Sequence, residues 1–362
     1  VLKTVDRFIL REVALSLGAT LVVLLAIVLA SRLANYLTQV ANGLLVKEVI
    51  LRMLVLQSIR FLPVLVPIAF LLGIMLTLGR LYQDSEMVAL TACGYGPGEI
   101  YRPLLLLALP LLVLLLLISL WVAPAAATLQ FELQARARQQ AQVSVFNPGT
   151  FREAANGRHV VYVAALDPAS NEMLQVFIQS RESDGGVAIT TGDRGHQEVD
   201  AAGNRFMVLY DGYRYEGRPD ALDYQVSRFD RLRVKLEAPP AEAIGKREGV
   251  TSERLLAGSR QDLAELHGRL GGPVSVLLIA FVAPLLARAR PRENRYGRVL
   301  GAILVYAVYI NLLGIGKAWL EKGTLGPLVG LWWVHALLAL LALGLWWRYY
   351  GFRSSERVEV PA

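Results

Sequence analysis

Two groups of ionisable residues stand where their chemistry demands an explanation. Arg32 lies late in the first long apolar run and Lys317 late in the fifth. A charge in hydrocarbon costs on the order of 3 kcal/mol or more, so each cation needs a reason to be there. One reason is snorkelling, with the stem along apolar surface and the charged head at the headgroups. The other is a pair of cations lining a cavity that meets an anionic headgroup. Arg60, in the outer part of the second run, reads as a snorkeller.

The second group sits in residues 77–94, TLGRLYQDSEMVALTACG, between two long apolar runs. Arg80 and Tyr82 end one run; Asp84, Ser85 and Glu86 stand where a new helix begins. Met87, Val88, Leu90 and Thr91 give a helix over 84–92 one mostly apolar face, and Gly94 with Pro97 stops it. A carboxylate in a first helical turn gains about 0.3–1 kcal/mol from the helix dipole. That alone accounts for Asp84 and Glu86. The functional alternative is a salt bridge from Glu86 to an arginine of a soluble partner. A connector between membrane spans needs few residues, so a helical one suggests a docking surface that receives force.

Other chemistry is missing from the sequence. There is no GxxxxGK[ST] phosphate loop, no HExxH and no GxSxG. The glycines at 94, 96 and 98 follow a helix rather than a strand, and read as an elbow. His159, His196, His267 and His335 lack ligand spacing, and His335 beside Trp332 and Trp333 reads as a packed residue. The single cysteine, Cys93, excludes an intrachain disulfide and a paired-cysteine metal centre. It reads as a small packing residue. We therefore expect no catalytic residue, no metal and no cofactor bound by this chain.

The elements that must position these residues are membrane spans. With 54 % apolar residues and mean hydropathy +0.43, the chain is too apolar to be soluble throughout. Six runs approach the roughly 20 residues that cross a bilayer: 16–37, 54–78, 103–123, 271–287, 299–320 and 328–347. Pro273 and Pro284 are expected to mark the ends of the fourth, and Pro63 and Pro67 to kink the second. The first run follows Lys3, Arg7 and Arg11 like a signal peptide, but it is too long for one and reads as a retained span.

The +7 net charge is not a nucleic-acid footprint, because the arginines cluster beside the apolar runs. Lys3, Arg7 and Arg11, then Arg80 and Arg102, share a side with Arg288, Arg290, Arg292, Arg295 and Arg298, and with Arg348, Arg353 and Arg357. The positive-inside bias makes that side, both termini and the 84–92 helix cytoplasmic. Lys47, Arg52, Lys322 and a large insert lie opposite. The insert carries strand-like segments from His159, Leu174, Gly186, Arg205 and Tyr224, which favours a sandwich or jelly roll. A linker over 237–249 and an amphipathic helix over 251–270 lead into the fourth span.

The expected organisation is six transmembrane helices, three plus three, with an inserted β-jellyroll domain. Residues 1–123 hold spans one to three, 124–265 the β-domain and its linkers, 266–350 spans four to six, and 351–362 a cytoplasmic tail.

This pattern resembles the LptF/LptG family, permease subunits of the bacterial lipopolysaccharide exporter. The likeness covers nearly the whole chain, and its most specific match is GRLYQDSEMVALTACG. Glu86 falls on the family's coupling glutamate, and Arg32 on a basic span-one position that contacts substrate. A second basic position one turn later is Asn35 here. The LY before the acidic pair, the Cys93-Gly94 ending and Lys317 resemble the LptF branch more than the LptG branch. The resemblance implies an inner-membrane location with the β-domain in the periplasm. It implies an LptG partner, two LptB ATPase subunits supplying ATP and Mg, LptC, and LptA beyond a periplasmic bridge. Lipopolysaccharide would be the substrate. On that basis Glu86, Asp84, Ser85, Arg80 and Tyr82 are the expected coupling residues, and Arg32 and Lys317 the expected substrate contacts. Rival readings are an LptG-type half, a four-span mechanotransmission permease of the MacB or FtsX kind, and a scaffold that transports nothing.

Overall fold

The computed structural model describes residues 4–41, 45–143, 149, 151–154, 159–167, 172–181, 186–199, 205–217, 225–236, 247–256, 258–288, 295–327 and 329–350. Lys3, Arg290, Arg292, Arg353, Arg357, most of the expected linker and the expected tail lie outside these residues.

The chain divides into two compact units, one of residues 1–38, 48–134 and 244–362, the other of 39–47 and 135–243. The second takes residues 135–243 from within the expected 124–265 and adds residues 39–47, which lie outside it.

The first unit is helical. Its elements are α1 (Thr4–Ala41), α2 (Ile50–Gln83), α3 (Glu86–Ala92), α4 (Tyr101–Leu117), a π turn (Ile118–Val122) and the first half of α5 (Ala123–Val143). After the second unit come α6 (Ser252–Leu256), α7 (Arg260–Ala287), α8 (Arg295–Lys322) and α9 (Trp332–Tyr350). Five helical stretches among the described residues are long and apolar enough to cross a membrane: Thr4–Ala41, Lys47–Gln83, Tyr101–Ala137, Arg260–Ala287 and Tyr296–Lys322. The sixth run forms α9, 19 residues with tryptophans at both ends that dilute its hydropathy. At about 1.5 Å per residue such a helix spans about 28 Å, close to the ~30 Å hydrocarbon core.

Three details depart from the expectation. Pro273 and Pro284 lie inside α7 and do not end it. The helix begins instead at a capping box, in which the Ser259 side chain accepts from the Asp262 N–H and the Asp262 carboxylate accepts from the Ser259 N–H. That cap follows a break at Gly258, so the single helix expected over 251–270 is two. Cys93 is exposed and packs against nothing in the core.

Helices α2 and α7 are the buried pair, while α1 shows most of its surface. Phe70, Ile74, Leu78 and Leu81 recur at helical spacing on α2 and meet Val276, Ile279, Ala280 and Ala283 of α7, joined by Leu104 and Ala108 of α4 and by Ile9 and Val13 of α1. Glycines set the approach. A Cβ on Gly73 would stand 2.9 Å from the Leu17 backbone nitrogen, and one on Gly272 would overlap the Pro63 carbonyl. Backbones come this close only where one partner lacks a side chain.

Among the described residues the second unit contains six antiparallel strands: β1 (Phe151–Ala154), β2 (His159–Leu166), β3 (Met173–Arg181), β4 (Val187–Val199), β5 (Arg205–Gly217) and β6 (Gln225–Leu236). These described strands form one sheet in chain order, a meander with no crossover among them. The inserted antiparallel β-domain is thus as expected, and its connectivity is simpler. Alternate residues Val161 and Val163, Val176 and Ile178, Met207 and Leu209 build its core. Gly195 makes room there, because a Cβ would stand 2.8 Å from the Leu209 side chain.

The helix crossing yields a matched pair of variants. Gly272→Ala should cost about 1–3 kcal/mol by overpacking against Pro63, lowering the melting temperature of the detergent-solubilised protein by several degrees. Gly301→Ala, whose added Cβ meets nothing within 4 Å, should leave it unchanged or slightly higher.

Candidate functional site

The residues singled out from the sequence fall at two places in the helical unit. The first is the junction of α2 and α3. The Asp84 N–H donates to the Arg80 carbonyl at 2.9 Å and closes α2. Ser85 then takes a left-handed conformation, φ +62°, which costs a non-glycine residue roughly 1–2 kcal/mol. That turn separates α3 from α2, and α3 is only seven residues long. Asp84 and Ser85, expected inside the helix, form the junction instead.

A helix of seven residues has no stability of its own, so its surroundings must hold it. Met87 is 2 % exposed and Leu90 packs beside it against the main core. At the far end Gly94, φ +86°, closes a Schellman motif: its N–H donates to the Thr91 carbonyl and the Tyr95 N–H to the Leu90 carbonyl, both at 3.0 Å. The Tyr95 hydroxyl then donates to the carboxylate of Asp6, which is buried in α1, at 2.9 Å. Burial, then this hydrogen bond, hold the Tyr95 phenol well above its ordinary pKa. A second tie joins Arg80 to Glu12 of α1 at 3.0 Å.

The five expected coupling residues therefore divide. Asp84, Ser85 and Glu86 are exposed, with Val88, Ala89 and Ala92 beside them. Tyr82 is half-buried against the core and Arg80 braces α1. The anchors Asp6 and Glu12 escaped the sequence analysis. Asp6 shares helical spacing with Ile9 and Val13, a carboxylate on an otherwise apolar buried face, and that was its signal.

The second place is a cavity of about 440 Å³ whose wall includes Arg60, Glu248, Glu265, Arg269 and Lys317, three cations against two carboxylates. Lys317 Nζ donates to Glu265 Oε2 at 2.7 Å. Arg269 reaches Glu265 Oε1 at 3.4 Å, the Ser252 hydroxyl at 2.8 Å and the Glu248 carbonyl at 3.0 Å. Arg60 donates to Gln130 Oε1 at 2.7 Å and pairs with Glu248, while its guanidinium lies 5.7 Å from the Phe131 ring centre. Gln130 in turn donates to Gln57 at 2.8 Å. The π turn joins this polar knot, since Ser119 donates to the Arg269 carbonyl at 2.7 Å and the Leu120 carbonyl accepts from Ser252 at 2.6 Å. A buried polar group without such partners would cost about 1–3 kcal/mol.

This corrects the reading of the cations. Arg60 is drawn inward into the knot and does not snorkel. Lys317 lines the cavity, paired with a carboxylate of α7. Arg32 is not among the lining residues; it is exposed and stands 5.3 Å over the ring of Phe61, itself a cavity wall. Glu265, Arg269 and Glu248 were missed because the sequence places them in an amphipathic helix and a linker, where charges are ordinary.

Comparison with known proteins adds an independent line. The family model for "Lipopolysaccharide export system permease LptF/LptG" matches residues 7–348. The protein "Lipopolysaccharide export system permease protein LptF" of Escherichia coli K12 is 25 % identical over 346 residues, covering 94 % of each chain. Proteins of the same name from Escherichia coli O157:H7 and Shigella flexneri match to the same extent.

The tie between α3 and α1 can be tested by Tyr95→Phe, which removes the hydroxyl and keeps the ring. The backbone amides of residues 87–95 should exchange with solvent about five- to 150-fold faster, as expected for losing a buried charge-assisted hydrogen bond of about 1–3 kcal/mol. Amides in the middle of α2 should be unaffected.

Proposed function

The chain belongs to the lipopolysaccharide export permease family LptF/LptG, and on that premise we propose a division of labour between its two charged places. It is a permease subunit of a lipopolysaccharide transporter, a multi-pass inner-membrane protein working in a complex, and its family is not itself an ATPase. The finer proposal is that α3 is the ledge through which an LptB-type ATPase drives the complex. Two such ATPase subunits would serve this chain and an LptG-type partner, with ATP and Mg bound there.

The observation that carries this is the asymmetry of α3. Its outer face offers Asp84, Ser85 and Glu86 beside exposed Val88, while its underside is fixed by Met87, Leu90 and Tyr95. A partner arginine could pair with Glu86, and a push there would reach α1 through Asp6 and Glu12. The positive-inside bias supports a cytoplasmic α3 and both termini cytoplasmic, with the β-domain periplasmic. There LptC and LptA would continue the sheet edge by strand addition, and the apolar core face would receive acyl chains.

In this scheme substrate leaves the outer leaflet of the inner membrane laterally, and Arg32 and Lys317 meet its phosphates. Glu86→Lys should uncouple ATP hydrolysis from lipopolysaccharide release in the reconstituted complex, because it sets like charges face to face; wild-type coupling with intact assembly would refute the role. Arg32→Glu should reduce photocrosslinking of lipopolysaccharide at the neighbouring Phe61 position, and wild-type crosslinking would return Arg32 to snorkelling.

A further inference from the structure

We propose that Glu265 is a displaceable counter-ion, holding Lys317 until a doubly charged phosphate group takes its place and turning away singly charged headgroups. The inference rests on the reading that Lys317 meets the substrate's phosphate.

The geometry points to exchange rather than to a fixed strut. The two oxygens of Glu265 are divided, Oε2 to Lys317 at 2.7 Å and Oε1 to Arg269 at 3.4 Å. Arg269 lies one turn along α7 and is itself held by the Ser252 hydroxyl and two backbone carbonyls. If Lys317 leaves, Glu265 therefore keeps a cation that does not move, and no carboxylate is stranded in a site only 13 % exposed. Lys317 differs: its side chain is 36 % exposed. Its stem runs beside Gly268, where even an added Cβ would stand 3.7 Å from the ammonium. The glycine leaves that ammonium open to the cavity.

Charge then decides what can enter. The Lys317 end of the pair is the solvated one, 36 % exposed, and solvent screening there weakens the pair, so a ligand need only offer Lys317 somewhat more than the carboxylate does. A phosphomonoester does so, carrying about −1.5 to −2 charges and three acceptor oxygens. A phosphodiester, with one charge like a carboxylate, gains nothing by the exchange. The volume of about 440 Å³ suits a phosphorylated headgroup. Glu265 thus acts against the bulk phospholipids of the bilayer more than it acts for lipopolysaccharide. By competing for Lys317, it also speeds release.

The test uses the full chain purified with the subunits that accompany it. Lipopolysaccharide bound per complex is measured with and without phosphatidylglycerol as competitor. Glu265→Gln should retain lipopolysaccharide about three- to fivefold more strongly, let phosphatidylglycerol displace it more readily relative to wild type, and slow its release. Lys317→Gln should weaken retention, and in the double variant the effect of Glu265→Gln should vanish. Weakened retention in Lys317→Gln with wild-type selectivity in Glu265→Gln would overturn the counter-ion role and leave the Lys317 reading standing. Unchanged retention in Lys317→Gln would overturn both. Should Glu265→Gln fail to assemble, Glu265→Asp, which draws the carboxylate back from Lys317, should shift selectivity the same way. No shift in that variant would equally overturn the proposal.

Discussion

A charged side chain inside a bilayer has no water to answer it, so the protein must supply the answering group. The polar knot around the cavity follows from that constraint. Arg60, Arg269 and Lys317 outnumber Glu248 and Glu265, and Gln57, Gln130, Ser119 and Ser252 fill the remaining valences. Apart from Glu248, which precedes α6, these residues come from α2, the π turn, α5, α6, α7 and α8, so satisfying the charges ties most of the helical unit together. A solvated surface pair holds two side chains; this network holds six elements. The close crossing of α2 and α7 at Pro63 and Gly272 supplies the stiff frame on which it is built.

The α3 ledge solves the opposite problem. One face of it is exposed, and a two-turn helix in water would unravel. Its stability is borrowed from three anchors beneath it: the Met87 and Leu90 side chains, the Schellman closure at Gly94, and the Tyr95–Asp6 hydrogen bond. The first and third lie beneath the helix and the second closes its far end, so none of them uses the outer face. The left-handed Ser85 turns the chain from α2 into α3; the Tyr95–Asp6 hydrogen bond ties the far end of α3 to α1, and the Arg80–Glu12 pair ties the end of α2 to it.

Much of this was legible in the residues, and the failures have physical causes. Apolar runs marked the helices because crossing a bilayer demands about 20 such residues in a row. Strands announced themselves through β-branched alternation, and β5 appeared over residues 205–217 as expected. The α3 stretch was visible from its acidic start and Gly94 stop. Prolines misled at the ends of α7, because neighbouring helices satisfy the carbonyl that a proline frees. The β connectivity was invisible, since strand patterns carry no information on which neighbour each strand takes. Arg32 and Lys317 drew notice because a lone charge in an apolar run stands out, and of the two the structure puts Lys317 in the cavity wall. Their surroundings did not: Glu265 and Arg269 precede the apolar part of α7, where an isolated sequence shows ordinary surface charges, and only folding brings them against Lys317. The chain's likeness to lipopolysaccharide export permeases was carried by one short motif and the arrangement of runs, and the family match over residues 7–348 rests on the whole.

The π turn at Ile118–Val122 has a geometric consequence for everything after it. Such a turn adds about one residue to the helical ladder, which rotates the downstream faces by about 100°. Gln130 lies two turns beyond it and faces Tyr36, Gln57 and Arg60 only in that rotated phase. Deleting one apolar residue from 118–122 would barely alter hydropathy or length. It would nonetheless swing Gln130 toward a different neighbour and disconnect α5 from the knot. Helical phase, a quantity that composition does not record, is therefore under as tight a constraint here as any single side chain.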